Sequence, residues 1–129
     1  MTATKGLLDK VADAIQQFEG WTAGSRSYRN NNPGNIKSFG GEAWLGQVGV
    51  DSANFVIFDT YEHGRRALLK LLTNAATGAI MPSYTPQMSL YDFFSRYAPS
   101  SDNNEPNRYA EFVANQVGVS PSDPIGQLV

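Results

Sequence analysis

The chain has 129 residues, a length typical of one domain with a buried core. Apolar residues make up 41% of it and aromatic residues 12%, as expected for a folded globular protein. With ten basic and twelve acidic residues the net charge is −2, so the composition predicts neither nucleic-acid binding nor attraction to an anionic membrane. The chain has no cysteine and one histidine, which excludes disulfides and thiol nucleophiles and leaves no pattern for a metal site.

The first predicted element is an amphipathic helix whose apolar residues recur at helical spacing: Leu7, Leu8, Val11, Ile15 and Phe18. Glu19 continues this stripe four residues after Ile15, and Gly20 suits the left-handed position that ends a helix. An apolar surface on one side disfavours the charged form of a carboxyl group, so we expect the pKa of Glu19 to be raised. Glu19 is therefore a candidate general acid; the alternative is a solvated residue at a helix end.

A loop and a small β element follow. Residues 20–35 are rich in Asn, Gly and Pro and are predicted to be loop. Ile36 and Lys37 can begin a short strand, residues 38–53 form a glycine-rich flap or loose hairpin, and residues 55–58 are the clearest strand. These segments predict a small antiparallel sheet of two or three strands.

The rest of the chain is predicted to be helical. Three helices have recognisable ends: Asp59 or Thr60 to Gly78, Ser89 through Tyr97, and Pro106 to Gly118. Asp59 and Glu62 have the spacing of a capping box. The sum is one domain over residues 1–129 with an α+β fold, mostly helical, in which a small antiparallel hairpin or sheet follows the first helix.

Carboxyl groups are the main source of reactivity in this chain. Cleavage of a glycosidic bond needs one carboxylic acid to protonate the leaving oxygen, and a hydrolase adds a second carboxylate as base or nucleophile. Four acidic residues are available for the second role, and no motif singles one out: Glu42, Asp51, Asp59 and Asp102. Asp59 is the best helix cap among them. His63 has no nucleophile motif to support a Ser-His-Asp triad.

Several motifs together resemble a known superfamily. They are Phe18-Glu19-Gly20, Gly24-Ser25-Arg26, the Arg-Asn-Asn-Asn-Pro-Gly-Asn-Ile block of residues 29–36, Tyr61 with Gly64, and Tyr97-Ala98-Pro99 with Asn104 and Tyr109. In this arrangement the chain resembles the lysozyme-like superfamily, and more narrowly the peptidoglycan-cleaving domains of lytic transglycosylases and goose-type lysozymes, many of them phage-borne. The resemblance covers nearly the whole chain and implies a lysozyme-like fold.

The resemblance implies specific roles. Glu19 matches the general acid of the family, and Tyr109 matches a late tyrosine whose hydroxyl supports that glutamate. Asn35 and Ile36 fall where the first strand lining the sugar cleft begins. Lytic transglycosylases usually have Ser after the glutamate and a Gly-Leu-Met-Gln strand, whereas this chain has Gly20 and, at residues 34–37, Gly-Asn-Ile-Lys. The choice between a lytic transglycosylase and a hydrolase therefore stays open.

Further residues are candidates for substrate binding, each with a structural alternative. Ser25, Asn32 and Asn35 either hydrogen-bond the sugar or satisfy their own loop. Trp44 either stacks on a sugar ring or anchors its flap, and Tyr97 either meets substrate or packs. Asn104 joins this set through the resemblance.

The resemblance predicts cleavage of peptidoglycan at the β-1,4 bond between N-acetylmuramic acid and N-acetylglucosamine, by a monomer that needs no cofactor. A non-catalytic glycan-binding or virion structural module is the alternative. Residues 1–10 carry no apolar signal segment, and no apolar run is long enough to span a membrane. We therefore expect synthesis in the cytoplasm and action on the cell wall after release, virion delivery or specialised secretion.

Overall fold

The computed structural model describes residues 6–38, 43–79, 84–98 and 105–129. Within them the helices are α1 (Leu7–Phe18), α2 (Arg26–Arg29), α3 (Tyr61–Thr77), α4 (Leu90–Tyr97) and α5 (Pro106–Val117). Strands β1 (Gln47–Val50) and β2 (Val56–Phe58) form the sheet, and a 3-10 turn covers Ile125–Leu128. The fold is α+β and mostly helical, with a small antiparallel sheet, as predicted from the sequence.

Strands β1 and β2 pair in antiparallel fashion, with Gln47 opposite Phe58 and Val50 opposite Val56. Lys37 forms an isolated antiparallel bridge to Phe55, the residue before β2. The strand predicted to begin near residue 36 is therefore present only as this one bridge. In a hairpin this short, hydrogen bonds from the neighbouring loop contribute much of what holds it in place.

The helix ends follow the capping chemistry of the sequence, with one correction. Thr60 caps α3, because its Oγ1 accepts a hydrogen bond from the backbone N–H of His63 at 3.2 Å. Asp59 does not form the predicted capping box; its carboxylate contacts the His63 ring instead. Ser89 caps α4 as predicted, accepting from the backbone N–H of Asp92 at 3.1 Å.

Two other expectations are wrong. The predicted loop of residues 20–35 contains the single turn α2, because Ser25 supplies an N-cap for it. Phe18, placed on the buried stripe of the first helix, is 37% exposed. It is the last residue of α1, at the point where the chain turns out of the helix at Gly20.

The contacts group the chain into two compact units, residues 15–70 and residues 1–14 with 71–129. The first unit contains the end of α1, the loop of residues 30–35 (the Asn-rich loop), the sheet and the start of α3. Its core includes Ile15, Val56, Phe58 and Leu68. The second contains α4 and α5, whose rings pack closely; Phe94 stacks on Tyr109 with centroids 4.5 Å apart. None of the helices in the described segments combines the length and apolar character needed to cross a membrane.

Candidate active site

Glu19 lies directly after the last residue of α1. Its backbone N–H still donates to Ile15 O at 2.9 Å, so the residue continues the helical hydrogen bonding by one step. Gly20 then takes φ = 72°, the left-handed conformation that a residue without Cβ adopts at little cost, and the chain leaves the helix. The side chain of Glu19 is half-buried. A carboxyl group in this position is partly shielded from water.

Asn35 provides a side-chain contact to Glu19 from across the loop. Its Nδ2 donates a hydrogen bond to Glu19 Oε1 at 3.3 Å, over a separation of 16 residues. The backbone of Asn35 is left-handed, with φ = 49°. Its Oδ1 is buried and makes no hydrogen bond within the part of the chain that the structure describes. Of the predicted site residues, Glu19 and Asn35 are thus brought together.

The preceding asparagines attach the loop to the sheet. Asn30 Nδ2 donates to Asp51 Oδ2 at 3.1 Å, and Asn30 O accepts from the backbone N–H of Phe58 at 2.8 Å. Asn31, which is also left-handed with φ = 52°, donates from Nδ2 to Phe58 O at 3.0 Å. These bonds join the loop to β2 and to Asp51, the residue that follows β1.

Asn32 makes three side-chain hydrogen bonds, more than the structure gives for Asn30, Asn31 or Asn35. It is 0% exposed, its Nδ2 donates to Ile36 O at 3.0 Å and to Val56 O at 2.9 Å, and its Oδ1 accepts from the backbone N–H of Ile36 at 2.9 Å. Both amide hydrogens are therefore occupied inside the protein. Of the two roles considered for Asn32, the structure favours the loop-building one over sugar binding.

Gly64 lets helix α3 approach this loop closely. A Cβ at this position would lie 1.8 Å from the backbone oxygen of Asn31 and 2.9 Å from Pro33 Cδ. Only a hydrogen fits there, so the loop lies directly on the helix backbone. The Asn-rich loop is held by the sheet on one side and by α3 on the other.

The candidate second carboxylates in the described residues are both committed to neighbouring groups. Asp51 Oδ1 accepts from the backbone N–H groups of Ala53 and Phe55, and its Oδ2 accepts from Asn30. Burial alone would raise the pKa of Asp51, but these hydrogen bonds, led by that from Phe55, together with the nearby Arg26 charge hold it below its usual value.

Asp59 is the second of these carboxylates. Its Oδ1 lies 2.6 Å from His63 Nδ1, and this hydrogen bond lowers the pKa of Asp59. The side chain is largely exposed, on the turn that leads into α3. The other predicted positions, Glu42, Pro99, Asp102 and Asn104, lie outside the described residues.

The remaining predicted residues fall into two groups. Ser25 caps α2, accepting from the backbone N–H of Tyr28 at 3.3 Å, which agrees with the structural alternative. Trp44 is half-buried, and its role stays a prediction. Tyr97 and Tyr109 belong to the unit containing α4 and α5, where Tyr97 stacks on Phe93 with centroids 5.5 Å apart. Tyr109 is fully buried, and its role toward Glu19 stays a prediction.

An aromatic cluster beside the loop was not singled out from the sequence. The Trp21 ring contacts Tyr28 and Tyr61, with centroids 5.1 Å apart in each pair. The Tyr61 hydroxyl donates to Gln16 Oε1 at 2.9 Å, and Tyr28 is 46% exposed. The cluster ties the chain after Glu19 to α1 and α3 and leaves amphipathic ring surface in contact with solvent. The only sequence signal was Trp21, two residues after the glutamate.

Comparison with protein-family models, with curated proteins and with solved structures finds no match for this chain. Among the described residues, no three His, Cys, Asp or Glu side chains come together as a metal-binding group.

Proposed function

We propose that this chain cleaves the glycan strand of peptidoglycan at the β-1,4 bond between N-acetylmuramic acid and N-acetylglucosamine, with Glu19 as general acid. The observation that carries the proposal is the half-buried carboxyl group of Glu19 at the end of α1, with Oε1 held by the Asn35 amide. A general acid works best when a fixed carboxyl group can reach the leaving oxygen while its proton is partly protected from water. The motifs that resemble lytic transglycosylases and goose-type lysozymes supply the substrate class.

In the proposed reaction, Glu19 donates its proton to the bridging oxygen while the bond from that oxygen to C1 of the muramyl sugar breaks. The bonding electron pair stays with the leaving oxygen, and positive charge develops on the muramyl ring. Glu19, now a carboxylate, can then take the proton of the muramyl 6-hydroxyl, whose oxygen bonds to C1. One carboxyl group serves both steps, and the product is a 1,6-anhydro sugar.

This lytic route is the one we favour over hydrolysis. A hydrolase needs a second carboxylate with oxygen atoms available to a water molecule or to the sugar. Within the described segments, both oxygens of Asp51 accept hydrogen bonds from the protein, and Asp59 is paired with His63. Each of these carboxylates has a structural use that competes with a role as base.

The test compares the wild-type chain with Glu19→Gln on purified peptidoglycan. The glutamine keeps the shape of the side chain and an oxygen that can accept from Asn35, but it has no acidic proton. We expect activity to fall about 10²–10⁴-fold, the usual contribution of a general acid. Glu62→Gln is the matched control, because Glu62 is an exposed glutamate in the first turn of α3, and it should cleave like the wild type.

Equal cleavage by Glu19→Gln and the wild type would remove Glu19 from the mechanism. Mass spectrometry of the released muropeptides decides the route, because the anhydro product is lighter by one water than the hydrolytic product. A reducing-end product would reject the lytic route. Glycan binding without cleavage by the wild type would instead identify a non-catalytic glycan-binding or virion structural module.

A further inference from the structure

Asn35 combines two unfavourable features that a glycine in the same loop would not have. Its backbone is left-handed, a conformation that glycine adopts without a Cβ penalty. Its Oδ1 is buried and accepts no hydrogen bond within the described segments, and an unsatisfied buried polar atom in a folded protein calls for an explanation. A glycine at this position would remove both costs. The side chain must therefore contribute something that glycine does not.

A purely structural role is the first explanation to consider, because asparagine tolerates left-handed backbone better than most residues. Asn31 gives the comparison within the same loop. It is also left-handed, and its Nδ2 donates to the backbone oxygen of Phe58, which fastens the loop to β2. The side-chain hydrogen bond that the structure gives for Asn35 goes instead to a carboxylate oxygen of Glu19.

The chemistry of this contact distinguishes the two oxygens of Glu19. The Nδ2 group of an amide is a donor only, so the oxygen that it faces must accept. When Glu19 is protonated, its carbonyl oxygen is a better acceptor than its hydroxyl oxygen, so the contact favours the acidic proton on Oε2. When Glu19 gives up its proton, the same contact becomes a hydrogen bond to a charged group, and the half-buried setting makes it stronger than it would be in bulk water.

We propose that Asn35 is a positioning residue for Glu19, one that fixes the carboxyl group by holding Oε1 and so directs the acidic proton to Oε2, the oxygen that protonates the glycosidic bond. This role rests on the proposed function of Glu19. In the forward step the proton leaves Oε2 and the C1–O bond breaks, with its electron pair kept by the leaving oxygen. Oε2 is then the oxygen that removes the proton from the 6-hydroxyl.

Asn35→Gly is the central variant, because glycine fits the left-handed backbone and removes the amide. Asn54→Gly is its matched control: Asn54 is also left-handed, with φ = 70°, but it is exposed on the hairpin turn. Kinetics are measured on soluble, uncross-linked glycan strands, with thermal unfolding recorded for each variant. For Asn35→Gly we expect kcat to fall roughly ten- to a hundredfold, the range for losing a hydrogen bond to a charged group, and KM to stay within about twofold. The Tm should be equal or higher, and Asn54→Gly should match the wild type.

Asn35→Asp is the second variant. Aspartate keeps the shape and the tolerance for a left-handed backbone, but it places an acceptor where the donor was. We expect its kcat to fall at least as far as that of Asn35→Gly. Full kcat in either variant, in a chain whose Glu19→Gln form is inactive, would overturn the role of Asn35 and leave the proposed function standing.

A fall in Tm that parallels the loss of activity in Asn35→Gly would show a structural residue and would also overturn the role. A rise in KM at constant kcat would assign Asn35 to substrate binding instead. A wild-type chain that leaves the glycan strands intact would overturn the proposed function itself. The activity of the wild type therefore distinguishes a failure of the proposed function from a failure of the role of Asn35.

Discussion

Replacing Gly64 with alanine tests how closely the Asn-rich loop lies on α3. In an unhindered helix this change stabilises the protein by about 1 kcal/mol, because alanine is the better helix former. Here the new Cβ would lie 1.8 Å from Asn31 O, where side chains essentially never come closer than 3.0 Å. The neighbour is backbone, so the loop must retreat by roughly 1 Å and lose hydrogen-bond geometry.

The higher helix propensity of alanine and the clash of its Cβ oppose each other, and their relative sizes decide whether Gly64→Ala is more or less stable than the wild type. Overpacking a closely packed site costs up to about 3 kcal/mol, and a backbone clash belongs at the upper end of that range. Subtracting the gain of about 1 kcal/mol leaves Gly64→Ala destabilised by about 2 kcal/mol. Urea unfolding measures this change in the free energy of unfolding. Gly49→Ala is the control, because a Cβ on Gly49 meets no heavy atom within 4 Å. A Gly64→Ala protein that is more stable than the wild type would refute the close approach.

Two further predictions concern the polar groups around the hairpin. Asn32→Asp replaces the donor that serves Ile36 O and Val56 O with an acceptor, and we expect a loss of about 3 kcal/mol in urea unfolding; wild-type stability would contradict the buried network. Asp51→Asn turns an acceptor for Asn30 into a donor and should cost about 1–2 kcal/mol at neutral pH. Because hydrogen bonds lower the pKa of Asp51 below 3.8 in the folded state despite burial, its stabilisation is present above that pH and is lost as the pH falls through the lowered pKa. The variant should therefore lose less stability on acidification than the wild type, and identical pH profiles would count against this role.

The fold class and most elements could be predicted because their signals are local. Helix α3 has apolar residues at helical spacing in its sequence, and three of them, Ala67, Leu68 and Leu72, are buried in the structure. The apolar run of residues 55–58 is the strand β2 with one bridging residue before it. The turn α2 was missed because four residues carry too little periodicity, and only the Ser25 cap marks its start.

The side-chain contacts of the candidate site could not be predicted from the sequence, because they join residues that are far apart along the chain. An asparagine that binds sugar and an asparagine that closes a loop look alike in a sequence, since the same amide serves both. The Glu19 to Asn35 contact spans 16 residues, and the Trp21 to Tyr61 contact joins the loop to α3. No spacing rule for helices or strands connects such positions.

The Asn-rich loop therefore has two kinds of asparagine, and they should respond differently to substitution. The amides of Asn30, Asn31 and Asn32 bind the hairpin, so removing one must lower stability first and activity as a consequence. Asn35 has a left-handed backbone and an oxygen with no hydrogen bond from any described residue, so we expect removal of its amide to relieve strain and to preserve the loop. If Glu19 is the acid we propose, only Asn35 separates activity from stability. That contrast arises because the amides of Asn30, Asn31 and Asn32 hold the loop on the hairpin, whereas the amide of Asn35 donates to the carboxyl group of Glu19.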